Sequence, residues 1–223
     1  MCGRINVSDH LGIQELLNWF EIPLFPEKFQ ARYNIAPGAT LITVANIDHN
    51  SISVMNWGMI PVWAKENQFT RPLINARAES IWDKPSFKNL IRDRRAIIPI
   101  NGFYEWQRHG KSKKAFYIHS PDKQALALGA IYQINAEGLM ECCIVTTSAN
   151  QPMGEVHNRM PVILDPESMN DWLFTQDKPQ LDHLMLPPSN DSVSIKRVSD
   201  YVNNAQHEGP ECVEPPDKQN ELF

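Results

Sequence analysis

The second residue has the most distinctive chemistry in the chain. A small residue at position 2 permits removal of the initiator methionine, and here that residue is Cys2 in Met1-Cys2-Gly3-Arg4. The processed chain would then begin with an α-amine and a thiol on adjacent carbons, a pair that only an N-terminal cysteine offers. An α-amine is partly neutral at physiological pH and can attack an aldehyde to give an imine. The thiol can then close a five-membered thiazolidine ring on the same carbon. Because one residue holds both nucleophiles, this second step is intramolecular. Position alone also fits a plainer role, in which Cys2 merely permits processing and packs inside. Two further groups could move protons for such a reaction. Glu105 lies between Tyr104 and Trp106 in an apolar run, where desolvation would favour a neutral carboxyl unless an arginine stands nearby. His157 supplies an imidazole, the side chain that ordinarily exchanges protons near neutrality. Asn75 and Asn34 each offer two donors and an acceptor, which suits either a site or a buried turn.

Those side chains need a scaffold, and the hydrophobic pattern indicates one. Strand-like runs occur at 41–45, 51–57, 95–100, 103–107, 115–119, 125–132, 140–147 and 193–198. Helical patterns fit 78–82, 86–93, 166–174 and 180–184. A further amphipathic helix, capped by Ser8 and carrying Leu11, Leu16, Leu17 and Phe20, ends before Pro23. Residues 21–40 read as an irregular loop. Lys111 to Lys114, beside Gly110, form a basic hairpin tip of the solvated kind. Strands that mostly follow one another without crossover helices favour an α+β domain with a largely antiparallel sheet.

A chain of 223 residues, 42% hydrophobic with six tryptophans, can bury its core in one compact domain. Its start lacks the layout of a secretion signal, and no run approaches the roughly 20 apolar residues of a membrane span. A soluble cytoplasmic protein is expected. In that reducing compartment Cys2, Cys142, Cys143 and Cys212 should be free thiols, and their spacing resembles no zinc site. Cys142 and Cys143 sit in an apolar stretch, one expected to point inward and the other to the opposite face of a strand. The net charge of −5 argues at first against a nucleic-acid ligand. Five acidic residues and one basic residue follow from Glu208 onward, however, which leaves residues 1–207 at −1. A near-neutral body can still gather arginines in one groove.

Six motifs then narrow the reading: Met1-Cys2-Gly3-Arg4, the run 32–38 (RYNIAPG), 57–63 (WGMIPVW), 73–79 (LINARAE), 102–106 (GFYEW) and 157–161 (HNRMP). In this order they resemble the SOS-response-associated peptidase (SRAP) family, and they span residues 2 to about 200. The resemblance implies a single domain with a barrel-like sheet and peripheral helices. It also implies that Cys2, once amino-terminal, forms a thiazolidine link to the ring-opened sugar of an abasic site in single-stranded DNA. Asn75 would position that link, Glu105 would act as acid and base, and His157 would assist. Arg4 and Arg77 are the candidate phosphate contacts. Asn34 would support the pocket, and Pro37 and Trp63 could offer an apolar wedge or stacking face. Trp57 reads as core. Arg159 could bind phosphate or buttress His157, and sequence does not separate the two. No cofactor, metal or membrane partner is implied, and a monomer is expected.

The last residues suggest a second partner. Residues 208–223 read as an acidic, proline-containing flexible tail, set apart from a domain at 1–207. The tail ends in a peptide similar to those that dock on the bacterial polymerase sliding clamp, with Gln219, Leu222 and Phe223 at the matching positions. Three rival readings stand beside the crosslinking one. These are a thiol peptidase or autoprocessing enzyme using Cys2, His157 and Glu105, a glutamine amidotransferase beginning with cysteine, and a non-catalytic reader of modified bases.

Overall fold

The computed structural model describes residues 2–22, 30–45, 47, 51–64, 71–110, 112–122 and 124–216. In chain order the first strands are β1 (Ile5–Val7), β2 (Arg32–Ile35), β3 (Thr40–Ala45), β4 (Ser51–Trp57), β5 (Asn75–Arg77), β6 (Arg95–Ile100) and β7 (Gly102–His109). Then come β8 (Ser112–His119), β9 (Leu126–Ile134), β10 (Met140–Ser148), β11 (Arg159–Pro161), β12 (Ile163–Leu164) and β13 (Ser194–Arg197). The helices are α1 (His10–Asn18), α2 (Leu90–Asp93), α3 (Gln151–Gly154), α4 (Met169–Phe174) and α5 (Lys178–Leu184).

Five strands close on themselves. β4 pairs with β3, β3 with β6, β6 with β9 and β9 with β10, all antiparallel, and β10 returns to β4 in parallel through Glu141↔Asn56 and Cys142↔Trp57. The result is a mixed barrel within an α+β domain. Strands β6 and β9 are buried on both faces, inward to the barrel and outward to helices, which explains their nearly unbroken apolar runs. The inner core holds Met55, Trp57, Ile98, Leu128 and Ile144, while the outer one packs Ile13, Leu17, Trp172 and Leu181 against Ile97, Ile131 and Val145. Cys142 and Cys143 do alternate as expected, but both faces of β10 are covered, so both thiols are buried, one in each core.

The site depends on how β10 divides its length. Its first half closes the barrel. Beyond Ile144 it leaves those neighbours and takes β5 on one side, in parallel through Ile144↔Asn75 and Thr146↔Arg77, and β11 on the other through Ser148↔Arg159. A second sheet, in the order β13-β8-β7-β1-β2, lays the start of the chain against β7 through Ile5↔Phe103. Gly102 is needed at this junction, since a Cβ there would lie 2.5 Å from both the Ile118 carbonyl and the Tyr117 ring.

Several local expectations change. Asp9, not Ser8, caps α1, accepting from the Leu11 N–H at 3.0 Å, while the Ser8 N–H donates to Asn101 Oδ1. The run 78–82 gives only a 3-10 turn at Ala78–Ser80, and 86–93 shortens to α2. Residues 32–35, expected in a loop, form β2 because β1 offers them a partner. The boundary at 207/208 also moves. Glu208 accepts from the Tyr33 N–H at 2.7 Å, the Glu214 carbonyl accepts from Ser199, and Cys212 is buried under a 3-10 turn at Pro210–Val213. The segment 208–214 is therefore part of the folded body, to which it returns three acidic side chains. The docking peptide with Gln219, Leu222 and Phe223 lies outside the described residues.

The buried thiols lead to a stability prediction. Burial pushes Cys142 up from 9.0 to about 12 and raises Cys143 well above its ordinary value. The folded state thus holds these protons more tightly than the unfolded chain. The Cys142 contribution is fully present below pH 9.0 and is lost as pH rises toward 12, and Cys143 adds to the loss in the same direction. Each group then forfeits about 1.4 kcal/mol per pH unit. Urea unfolding under reducing conditions should show a clearly lower midpoint at about pH 10.5 than at about pH 8. A Cys143→Ala chain should show a shallower fall.

Candidate active site

The start of the chain is drawn into the end of the barrel. Cys2 is fully buried among Ile5, Phe103, Met153 and Val156. Its carbonyl accepts from Asn75 Nδ2 at 3.0 Å, so β5 reaches the terminus directly. Asn75 Oδ1 is buried and has no hydrogen-bond partner among the described residues, which leaves one acceptor beside Cys2 for an incoming donor. Glu105, on β7, is 3% exposed and faces the same interior. Burial pushes the Cys2 thiol well up, and the negative charge of Glu105 adds to that shift. A protonated thiol beside a buried carboxyl and an amide is the chemical content of this pocket.

His157 arrives from a different part of the chain. It follows α3, which Asn150 caps by accepting from the Met153 N–H, and its own N–H donates to the Met153 carbonyl at 2.9 Å. Met153 and Val156 belong to the buried cluster that contains Cys2, so the turn carrying His157 packs on the same end of the barrel. Gln107 reinforces this placement. It shares a face of β7 with Glu105, and its Nε2 donates to the Glu155 carbonyl at 2.7 Å. The half-buried imidazole places Nδ1 3.0 Å from the Arg159 N–H and 3.3 Å from the Arg159 carbonyl.

The remaining candidates divide into two groups. Arg77 and Pro37 are exposed, as is Trp63 at 53%, next to Val62 and Ile60 in the loop after β4. All three are accessible to solvent. Asn34 is not, because it is buried. Its Nδ2 donates to the carbonyls of Val202, Asn204 and His207, and its Oδ1 accepts from Arg4 Nη1 at 2.7 Å. With every polar atom engaged, Asn34 pins the segment 202–207. Arg4 is half-buried in the same arrangement. Its Nη1 also donates to the Val202 carbonyl, the guanidinium carbon lies 5.7 Å from the Trp106 ring centroid, and Nε is buried without a hydrogen-bond partner among the described residues. Arg159 binds Glu79 and the Thr146 carbonyl. Trp57 is core, as expected, with Nε1 donating to the Ile74 carbonyl. A cavity of about 380 Å³ lies elsewhere, bordered by Leu16, Trp19, Asp122, Ala127, Ile163 and Met169, and includes none of these side chains.

The family model for the SOS response associated peptidase (SRAP) matches residues 1–205. This chain belongs to the SRAP family. Among curated relatives it is 35% identical to "Abasic site processing protein YoqW" of Bacillus subtilis, over 96% of this chain and 99% of that one. It is 31% identical to "Abasic site processing protein YedK" of Escherichia coli, over 96% and 100%. It is also 27% identical to "Abasic site processing protein HMCES" of Xenopus tropicalis, over 96% and 78%. A crystal structure of a protein from Bacteroides thetaiotaomicron shares the fold with a TM-score of 0.81 at 24% identity, covering 96% of this chain and 99% of that one.

Three residues of this SRAP domain had escaped the motif reading even though two lie inside motifs. Glu79 ends the LINARAE run yet acts on Arg159, 80 positions away. Trp106 ends GFYEW, donates from Nε1 to Asn203 and carries Lys113 over its ring at 4.3 Å. That contact gives the basic hairpin tip an anchor beside Arg4. Gln107 lies just past the same motif, and only the tertiary contact with Glu155 reveals it. Among the described residues no group of three or more His, Cys, Asp or Glu side chains could hold a metal, and no helix is long and apolar enough to cross a membrane.

Proposed function

We propose that this SRAP protein, once Met1 is removed, traps abasic sites in single-stranded DNA through a thiazolidine link to Cys2, shielding the lesion during replication. The observation that carries the reading is the grip of Asn75 on the Cys2 carbonyl, near enough to the buried Glu105 for its charge to act on the Cys2 thiol. Abasic deoxyribose is mostly a closed hemiacetal, so a proton must move before the aldehyde appears, and in this reading Glu105 moves it. The α-amine then adds to the aldehyde carbon, and loss of one water gives the imine. The Cys2 sulfur adds to the same carbon while its proton passes to nitrogen. No oxidant or reductant is required.

The thiol's own chemistry favours this order. A cysteine peptidase needs a ready thiolate, usually formed beside a cationic group. Here burial and Glu105 both disfavour the thiolate, so the amine is the better first nucleophile and the sulfur follows intramolecularly. Arg77, Pro37 and Trp63 would meet the flanking phosphates and bases, while Arg4 and Arg159 brace the pocket from within. Work at such lesions would place the protein on the nucleoid.

The test is direct. Mature protein incubated with a single-stranded oligonucleotide holding one abasic site should give an adduct that survives heating in detergent, and intact oligonucleotide should give almost none. Acetylating the α-amine beforehand should remove the adduct. An undiminished yield from the acetylated protein would rule out the ring-forming route.

A further inference from the structure

One ion pair at the edge of the site has no part in the chemistry above. Strand β5 carries Asn75 to Cys2 and then runs into the 3-10 turn Ala78–Ser80, so Glu79 emerges on the far side of the same short segment. β10 lies between β5 and β11, pairing Thr146 with Arg77 on one side and Ser148 with Arg159 on the other. Glu79 and Arg159 therefore meet across the end of β10. Glu79 Oε1 accepts from Arg159 Nη1 and from Ser148 Oγ at 3.4 Å. Arg159 Nη2 donates to the Thr146 carbonyl at 2.6 Å, and Thr146 Oγ1 in turn donates to the Ala76 carbonyl at 3.3 Å. The arginine side chain is 12% exposed, so this clamp is well shielded on its cationic side. The bond from Arg159 also holds the Glu79 carboxyl below its ordinary range.

What the clamp fixes is the main chain of Arg159, and that main chain holds His157. Nδ1 of the imidazole faces the Arg159 N–H at 3.0 Å and the Arg159 carbonyl at 3.3 Å. A neutral ring with its proton on Nε2 accepts from the N–H, and a protonated ring can donate to the carbonyl. One short stretch of backbone thus serves both states of the ring.

We infer that Glu79 is a positioning residue, whose pairing with Arg159 sets the orientation and tautomer of the His157 imidazole. The segment 75–79 would then serve the site at both ends, holding Cys2 through Asn75 and His157 through Glu79. The inference rests on the proposed crosslinking for its kinetic readout but not for its spectroscopic one.

The experiment compares wild type with Glu79→Ala, Glu79→Gln and Glu79→Asp. At saturating single-stranded abasic DNA, Glu79→Ala should crosslink about tenfold more slowly, as expected for a displaced proton-transfer group. Glu79→Gln keeps an oxygen acceptor without the charge and should fall between, and Glu79→Asp should recover part of the rate. The dissociation constant for an oligonucleotide with a tetrahydrofuran residue, which has no aldehyde, should stay within about twofold, because Glu79 acts on His157 and not on phosphate. Imidazole 15N shifts should place the neutral His157 proton on Nε2 in wild type and show tautomer averaging in Glu79→Ala. Should Glu79→Ala fail to fold, Glu79→Gln carries both measurements. Unchanged rate and tautomer would overturn the inference. So would a loss confined to the dissociation constant, which would make the pair a binding element. If wild type forms no adduct at all, the crosslinking proposal fails while the tautomer comparison still decides the role of Glu79.

Discussion

Cys2→Ala should yield no adduct that survives heating, a loss of at least about a hundredfold, because the sulfur is what turns a reversible imine into a closed ring. Alanine at position 2 still allows Met1 to be removed, so the α-amine survives. Adding borohydride during the incubation should therefore trap a reduced imine with the variant. That pair of results separates the two nucleophiles of one residue. The fold should tolerate the change. Cys2 is fully buried among apolar side chains, and removing a single sulfur costs about 1 kcal/mol. Serine is the poorer control, since its hydroxyl could donate to the buried Asn75 Oδ1 and so alter the site as well as remove the sulfur. A heat-stable adduct from Cys2→Ala, at the wild-type yield and without borohydride, would remove the sulfur from the mechanism.

Glu105→Gln should slow the initial rate of crosslinking at saturating DNA by about a hundredfold, within the usual range for loss of a general acid and base. Two effects oppose each other here. Glutamine cannot exchange protons, which slows sugar opening and imine formation. It also removes a negative charge that pushes the Cys2 thiol up, which would make the thiolate easier to form. The proton-transfer loss should win if ring opening or imine formation limits the rate. A rate equal to or above wild type would mean that sulfur attack is limiting and that Glu105 mainly restrains the thiol. Packing is not in question, because glutamine is nearly isosteric with the buried glutamate, and a thermal melt of the variant checks this.

The strongest strands were readable before any coordinates. The runs 95–100, 125–132 and 140–147 correspond to β6, β9 and β10, whose two covered faces demand apolar residues almost without interruption. The strands that make the site were not readable. β1, β5 and β11 have three residues each, too few for a period to show, and they exist because β7 and β10 supply partners. Arg95 illustrates the same limit. It reads as the polar first residue of a strand, yet it is buried and donates to the carbonyls of Ile91, Leu173 and Thr175, binding the ends of α2 and α4 to the barrel. The acidic stretch from Glu208 reads as solvated, yet Cys212 anchors it, because one buried side chain and the bonds from Ser199 to Glu214 and from Tyr33 to Glu208 outweigh composition.

Residue type and order alone determined the kinship and singled out Cys2, Glu105 and His157 as candidates, because a cysteine at position 2 and six ordered motifs are properties of the chain itself. Which of those residues touch was decided only by the tertiary structure. Asn34 and Asn75 are indistinguishable as letters. Asn34 spends its amide on carbonyls of the segment 202–207, some 170 positions away, and Asn75 spends its own on Cys2. A hydrogen bond depends on where two groups end up in space, and for pairs so far apart in sequence only the closed barrel and the strands laid along β10 set that distance.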